Sequence, residues 1–119
     1  MVIKVKRIYE PPEQDDGKRI LVERLWPRGV KKEEARIDMW MRDIAPSHEL
    51  RKWFSHDPGK WEEFKRRYWE EIKDKEELRE LVRMAREGNI TLIYSTRSQY
   101  NNAVALKQYL ETMGIGSLE

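Results

Sequence analysis

The sequence predicts an α/β domain, a small layered sandwich around a central, mostly parallel sheet. Three observations carry that expectation. Two apolar, strand-like runs stand near the start, the middle of the chain has helical periodicity, and a late apolar run feeds a polar loop and a last helix. A strand separated from its sheet neighbours by helices favours parallel pairing with helices layered on the sheet. The sequence sets no strand order. At 119 residues the chain fits one domain, spanning 1–119.

The elements follow in order. Residues 2–8 alternate, with Val2, Ile3 and Val5 bracketing lysines, and read as a strand. Pro11, Pro12, Asp15, Asp16 and Gly17 spell a turn-rich surface loop. Residues 19–25 form a second strand whose unbroken Ile20-Leu21-Val22 run implies burial on both faces. Pro27 withdraws a ladder donor and Gly29 permits a sharp turn, so Trp26-Pro27-Arg28-Gly29 ends it. Residues 37–44 alternate around Trp40 and fit either a strand or a short helix.

Ser47 is placed to cap a helix running to Phe54, and Asp57-Pro58 opens a longer one. The longer helix has an apolar stripe of Trp61, Phe64, Tyr68 and Ile72, with Trp69 beside it. Glu62–Arg66 and Glu63–Arg67 are spaced for ion pairs, worth about 0.2–0.5 kcal/mol each. A further helix carries Leu78, Leu81, Val82 and Ala85, stopped at Gly88. Residues 90–94 are β-branched and apolar, the clearest strand; together with the run from Ile20 they should lie central and inaccessible. After a polar turn at 96–98, residues 101–113 form the last helix, with Ala103, Leu106 and Leu110 inward and Gly114 and Gly116 closing it.

Composition narrows the function classes. Five Trp, five Tyr and two Phe supply a core without staples, since each aromatic ring buries about 150–250 Å². The absence of cysteine removes disulfides, thiolate catalysis and Cys-based metal centres, and fits a reducing compartment. With 24 basic against 22 acidic residues, the net charge of +2 lacks the excess of a dedicated nucleic-acid binder. The density of both signs suits a heat-adapted, thermophilic protein laced with ion pairs. No apolar run approaches a membrane span, and the alternating start is not a signal peptide, so the expected compartment is the cytoplasm.

Three constellations could carry chemistry. The first is Ser95-Thr96-Arg97-Ser98, between the strand at 90–94 and the helix capped by Ser98 or Asn101. A strand feeding a polar loop and a helix start is the usual geometry of an anion site, with Arg97 adding bidentate contacts. The structural alternative is a simple cap and a surface arginine. The second is Glu23-Arg24-Leu25-Trp26-Pro27-Arg28-Gly29, where Arg24 and Arg28 flank a rigid turn at the end of a core strand. Against it stands Trp26 as core and Arg24 as an ion-pair partner. The third is His56 beside Asp57, an acid–base candidate weakened because Asp57 is needed as a cap. Two separate histidines, His48 and His56, give no metal-ligand spacing, so no metal is expected. The Trp53 to Trp69 aromatics sit at helical spacing, which marks core rather than a base-stacking platform.

The segments LVERLWPRGVKKEEARIDMW, APSHELRKWFSHDPGKWEEFKRRY and ITLIYSTRSQYNNAVALKQYL resemble the YeaO-like branch of family 488 of the domains of unknown function, over nearly the whole chain. The resemblance implies a compact α/β fold and no established activity. It carries over Arg24, Trp26, Pro27, Arg28, Gly29 and Asn101 as pattern positions without roles. Tyr100 stands where relatives often have His, and Ser95-Thr96-Arg97 where another branch has a Cys-His-Arg cluster, so thiol chemistry does not apply. A porphyrin-methylation label attached to some such proteins finds no Gly-rich nucleotide loop here.

Three readings result. One is a site for a small anionic, phosphate-bearing ligand made by Arg24, Trp26, Arg28, Ser95, Thr96, Arg97, Ser98 and Asn101. Another is a nucleic-acid accessory module using Arg24, Arg28, Lys31, Lys32 and Arg36, with weak, nonspecific binding at most. The third is a protein–protein adaptor whose arginines are ion-pair glue. No cofactor, reaction or oligomeric state is assigned by the residues.

Overall fold

Strand β4 (Ile90–Tyr94) lies inside the sheet, as its continuous apolar run requires. In this computed structural model, which describes residues 2–116, β4 pairs in parallel with β1 (Ile3–Arg7) on one side and β2 (Lys18–Leu21) on the other. The short β3 (Met39–Trp40) adds to β2, giving the all-parallel order β1-β4-β2-β3. Among the described residues five α-helices accompany the sheet: α1 (Lys32–Ala35), α2 (His48–Phe54), α3 (Trp61–Ile72), α4 (Glu76–Glu87) and α5 (Asn102–Thr112).

Strand alternation divides the packing. Ile3, Ile20, Ile90 and Leu92 face the main core with Phe54, Phe64, Tyr68, Ile72, Leu81, Leu106 and Leu110. Leu21 and Ile93 face the other way into a smaller cluster with Ile8 and Ala35, flanked by Trp26, Val30, Ile37 and Trp40. On the same second face Lys4, Lys6, Arg19 and Thr91 point toward the loop before β2.

That loop corrects one expectation. It is not wholly a surface turn: Asp16, in a 3₁₀ turn at Gln14–Asp16, is completely buried. Its carboxylate accepts from Arg19 Nη1 at 2.6 Å, from Lys6 Nζ at 3.1 Å and from the Glu13 N–H at 3.0 Å, and Lys4 Nζ lies 2.9 Å away. Burial alone would push this carboxyl up, but the bonds from Lys4, the Glu13 backbone, Lys6 and Arg19 outweigh it and hold it well below the usual carboxylate range. Gly17 then turns at φ +64°, and a Cβ there would meet the Asn89 carbonyl oxygen at 1.9 Å.

Other boundaries shift for local reasons. Strand β2 ends at Leu21, not Leu25; Leu25 is 72% exposed. Val22 N–H still reaches Ile93 O at 3.2 Å, but its carbonyl is taken by Asn102 Nδ2 at 2.8 Å, which closes the ladder. Residues 37–44 satisfy both expectations in turn, β3 and then a 3₁₀ turn at Arg42–Ile44. Ser47 Oγ caps α2 by accepting from Leu50 N–H at 3.1 Å. Asp57 caps a 3₁₀ turn at Pro58–Lys60, and α3 begins only at Trp61. Phe64, Tyr68 and Ile72 are buried, whereas Trp61 is half-buried and stacks on Phe64. Glu63 pairs with both Arg67, at 2.9 Å, and Arg66; Glu62 turns instead to Lys65 at 3.2 Å, so the expected Glu62–Arg66 pair does not form. Among the described residues no helix is long and apolar enough to cross a membrane.

Candidate functional site

Parallel pairing brings the carboxyl ends of β2 and β4 side by side. Open α/β sheets place ligands outside the carboxyl ends of their strands. A cavity of about 520 Å³ opens there. Its walls are the 23–27 segment after β2, residues His48, Arg51, Lys52 and Phe54 of α2 with Ser55 and His56, and the junction from β4 to α5.

The β4–α5 junction is held from within. Glu23 turns its carboxylate onto Ser95, accepting from the Ser95 N–H at 2.9 Å and from its hydroxyl at 2.8 Å. Asn101 is nearly inaccessible; its Oδ1 caps α5 by accepting from Val104 N–H at 3.0 Å, and its Nδ2 donates to Ser98 O at 2.9 Å. Thr96 Oγ1 accepts from Ser98 N–H, and Ser98 Oγ from Tyr100 N–H. The hydroxyls of the loop are thus largely spent on shaping it.

Of the residues expected to bind a ligand, Arg24, Trp26, Ser95, Thr96 and Asn101 line the cavity, whereas Arg28, Arg97 and Ser98 do not. Both sheet junctions do lie at one edge, but the turn at Pro27 and Gly29 carries Arg28 outward, and Arg97 projects from the loop; both are exposed. The three-arginine array is therefore not formed. Its cations are replaced by two from α2, Arg51 and Lys52, which share the wall with His48. Sequence reasoning missed them, although their spacing opposite buried Leu50 and Phe54 puts them on the non-core side of the helix. Arg24 makes a 3.8 Å contact with exposed Asp43 and a 3.4 Å bond to Ala45 O, while Arg51 and Lys52 form no ion pair among the described residues.

His56 also lines the cavity. It sits with Ser55 in left-handed backbone, and its Nδ1 lies 3.1 Å from Tyr100 O, a contact that requires the proton on Nδ1 and leaves Nε2 as acceptor. Asp57 does not assist it, being turned to Gly59 N–H at 2.9 Å. Glu23 holds Ser95 at two points, backbone N–H and hydroxyl, and so ties the segment after β2 to the junction after β4. The remaining acidic group, Glu13, Asp15 and Asp16, is spent on Lys4, Lys6 and Arg19 rather than left to bind a metal.

Residues 2–114 match a family described as the inactive DUF488-N3 subclade. The chain belongs to the DUF488 family. Its DUF488 relatives include the uncharacterised protein YeaO of Escherichia coli, 41% identical over 115 residues, 95% of this chain and 100% of that protein. Uncharacterised proteins of Mycobacterium tuberculosis and Mycobacterium bovis are each 40% identical over 109 residues, 91% of this chain and 92% of theirs. No solved structure matches this DUF488 chain significantly. The YeaO-like resemblance is thereby borne out.

Proposed function

We propose that this DUF488 protein binds a small anionic, phosphate-class ligand in the cavity at the carboxyl ends of β2 and β4. The observation that carries the reading is that Arg51 and Lys52, which line the cavity with Arg24, have no carboxylate partner among the described residues, while Arg24 has only a 3.8 Å contact with exposed Asp43. Like charges gathered on one wall repel one another and gain from an incoming anion. A volume of about 520 Å³ falls within the 300–1,000 Å³ range of small-molecule sites. Leu25, Trp26, Pro27, Pro46 and Phe54 supply an apolar floor for the body of such a ligand. The description of the matching subclade as inactive favours binding over turnover.

The test is a melting-temperature screen with inorganic phosphate, sulfate and phosphate monoesters, followed by titration. Phosphate monoesters are expected to stabilise the protein. Arg51→Ala should weaken them about ten- to hundred-fold, the loss of one charge-assisted bond. Arg28→Ala and Arg97→Ala, outside the cavity, should leave affinity unchanged. Absence of any shift across the panel would defeat the proposal.

A further inference from the structure

Glu23 is the one acid on a cavity wall that otherwise carries Arg24, Arg51 and Lys52. It is half-buried, and no cation pairs with it among the described residues. Partial desolvation of an unpaired carboxylate is costly, and two hydrogen bonds from Ser95 offset only part of that cost. Those bonds also fix the carboxylate: the N–H takes Oε2 and the hydroxyl takes Oε1, so neither oxygen swings freely. A carboxylate offers about four acceptor positions; Ser95 occupies two, and the cavity is open to the rest.

Resting on the anion reading above, we infer that the ligand carries an ammonium or amino group as well as its anion, and that Glu23 recognises it. The site is then bipolar, with cations of α2 and Arg24 for the phosphate and a pre-set acceptor for the nitrogen. Glu23 acts equally by exclusion. A ligand with a second anion or an acceptor at that end meets a fixed like charge in a partly desolvated space, which suits selection among phosphate compounds of similar size. Trp26 and Pro27, three and four residues after Glu23 in the chain, line the same cavity and supply an apolar span.

A matched pair of probes decides the matter: phosphoethanolamine and ethyl phosphate, which share a phosphate ester and differ by an ammonium group, titrated calorimetrically. The wild-type protein is expected to prefer phosphoethanolamine by at least about tenfold, and Glu23→Gln to erase the preference and to bind ethyl phosphate more tightly, since a fixed negative charge has left the cavity. Circular dichroism and the unliganded melting temperature establish that the variant is folded. Equal wild-type affinities for the two probes overturn this inference and leave the anion site standing, whatever the variant does. Failure of both probes, together with inorganic phosphate, overturns the anion site itself.

Discussion

Asp16 shows how much one residue can decide. Fully buried, it is held by Arg19, Lys6 and the Glu13 N–H with Lys4 at contact distance, and the loop before β2 is fastened to the second face of the sheet through it. Removing a single partner from a buried ionic group leaves the others uncompensated and costs about 3–5 kcal/mol. Asp16→Asn is therefore expected to lower stability by that order, measured by urea unfolding. The pH dependence has a definite sign. The folded carboxyl titrates below its unfolded value of about 4. The unfolded chain therefore binds the proton first, so the stabilisation is complete above about pH 4 and declines as pH falls below it. The gap in stability between wild type and Asp16→Asn should narrow steadily between pH 4 and pH 2. A gap constant across that range would mean that the carboxylate's charge is not what holds the loop.

At the scale of elements, α3 is the clearest product of its sequence. Phe64, Tyr68 and Ile72 recur at four-residue spacing and all three are buried, with the Tyr68 hydroxyl donating to Ile44 O at 2.6 Å. Phe64 is 2% exposed and stacks between Phe54, at 4.2 Å, and Tyr68. Phe64→Ala is expected to cost about 3–5 kcal/mol, read from the shift in denaturant midpoint. The strands β1 and β4, the Ser47 cap and the helices α3 to α5 were legible because each follows from local periodicity or local hydrogen-bonding chemistry. What escaped depends on distant partners. The string Asp15-Asp16-Gly17 is that of any exposed turn, and only Lys4, Lys6 and Arg19, aligned on one face by separate strands, make Asp16 a buried lock. That the junctions after the second and the late strand could share one sheet edge was legible from the expected parallel pairing. The cations at that edge were not, because the outward turn after Pro27 removes Arg28 while the placement of α2 brings in Arg51 and Lys52.

For the molecule as a whole, the distribution of charge bears on polyanion partners. Among the 24 basic and 22 acidic residues, those on the longer helices pair at three- and four-residue spacing, as in Glu62–Lys65, Glu70–Lys73, Glu76–Arg79 and Arg83–Glu87. Exposed pairs of this kind add about 0–1 kcal/mol each, but together they cancel the long-range field that would draw in a nucleic acid. The cations of the 24–36 segment, Arg24, Arg28, Lys31, Lys32 and Arg36, are interrupted in sequence by Glu33 and Glu34. If three to five of them neutralise phosphates at once, the logarithm of the association constant for duplex DNA should fall with the logarithm of salt at a slope of about −3 to −4.5. Fluorescence anisotropy with two unrelated duplexes is expected to show weak binding at 20 mM salt, equal for both and gone by 150 mM. That outcome counts against a nucleic-acid role and leaves the proposed cavity site standing. Selective binding of one duplex that survives 150 mM salt would transfer the function to the 24–36 surface, and Arg28→Ala, silent toward small phosphates, would then be the variant that abolishes it.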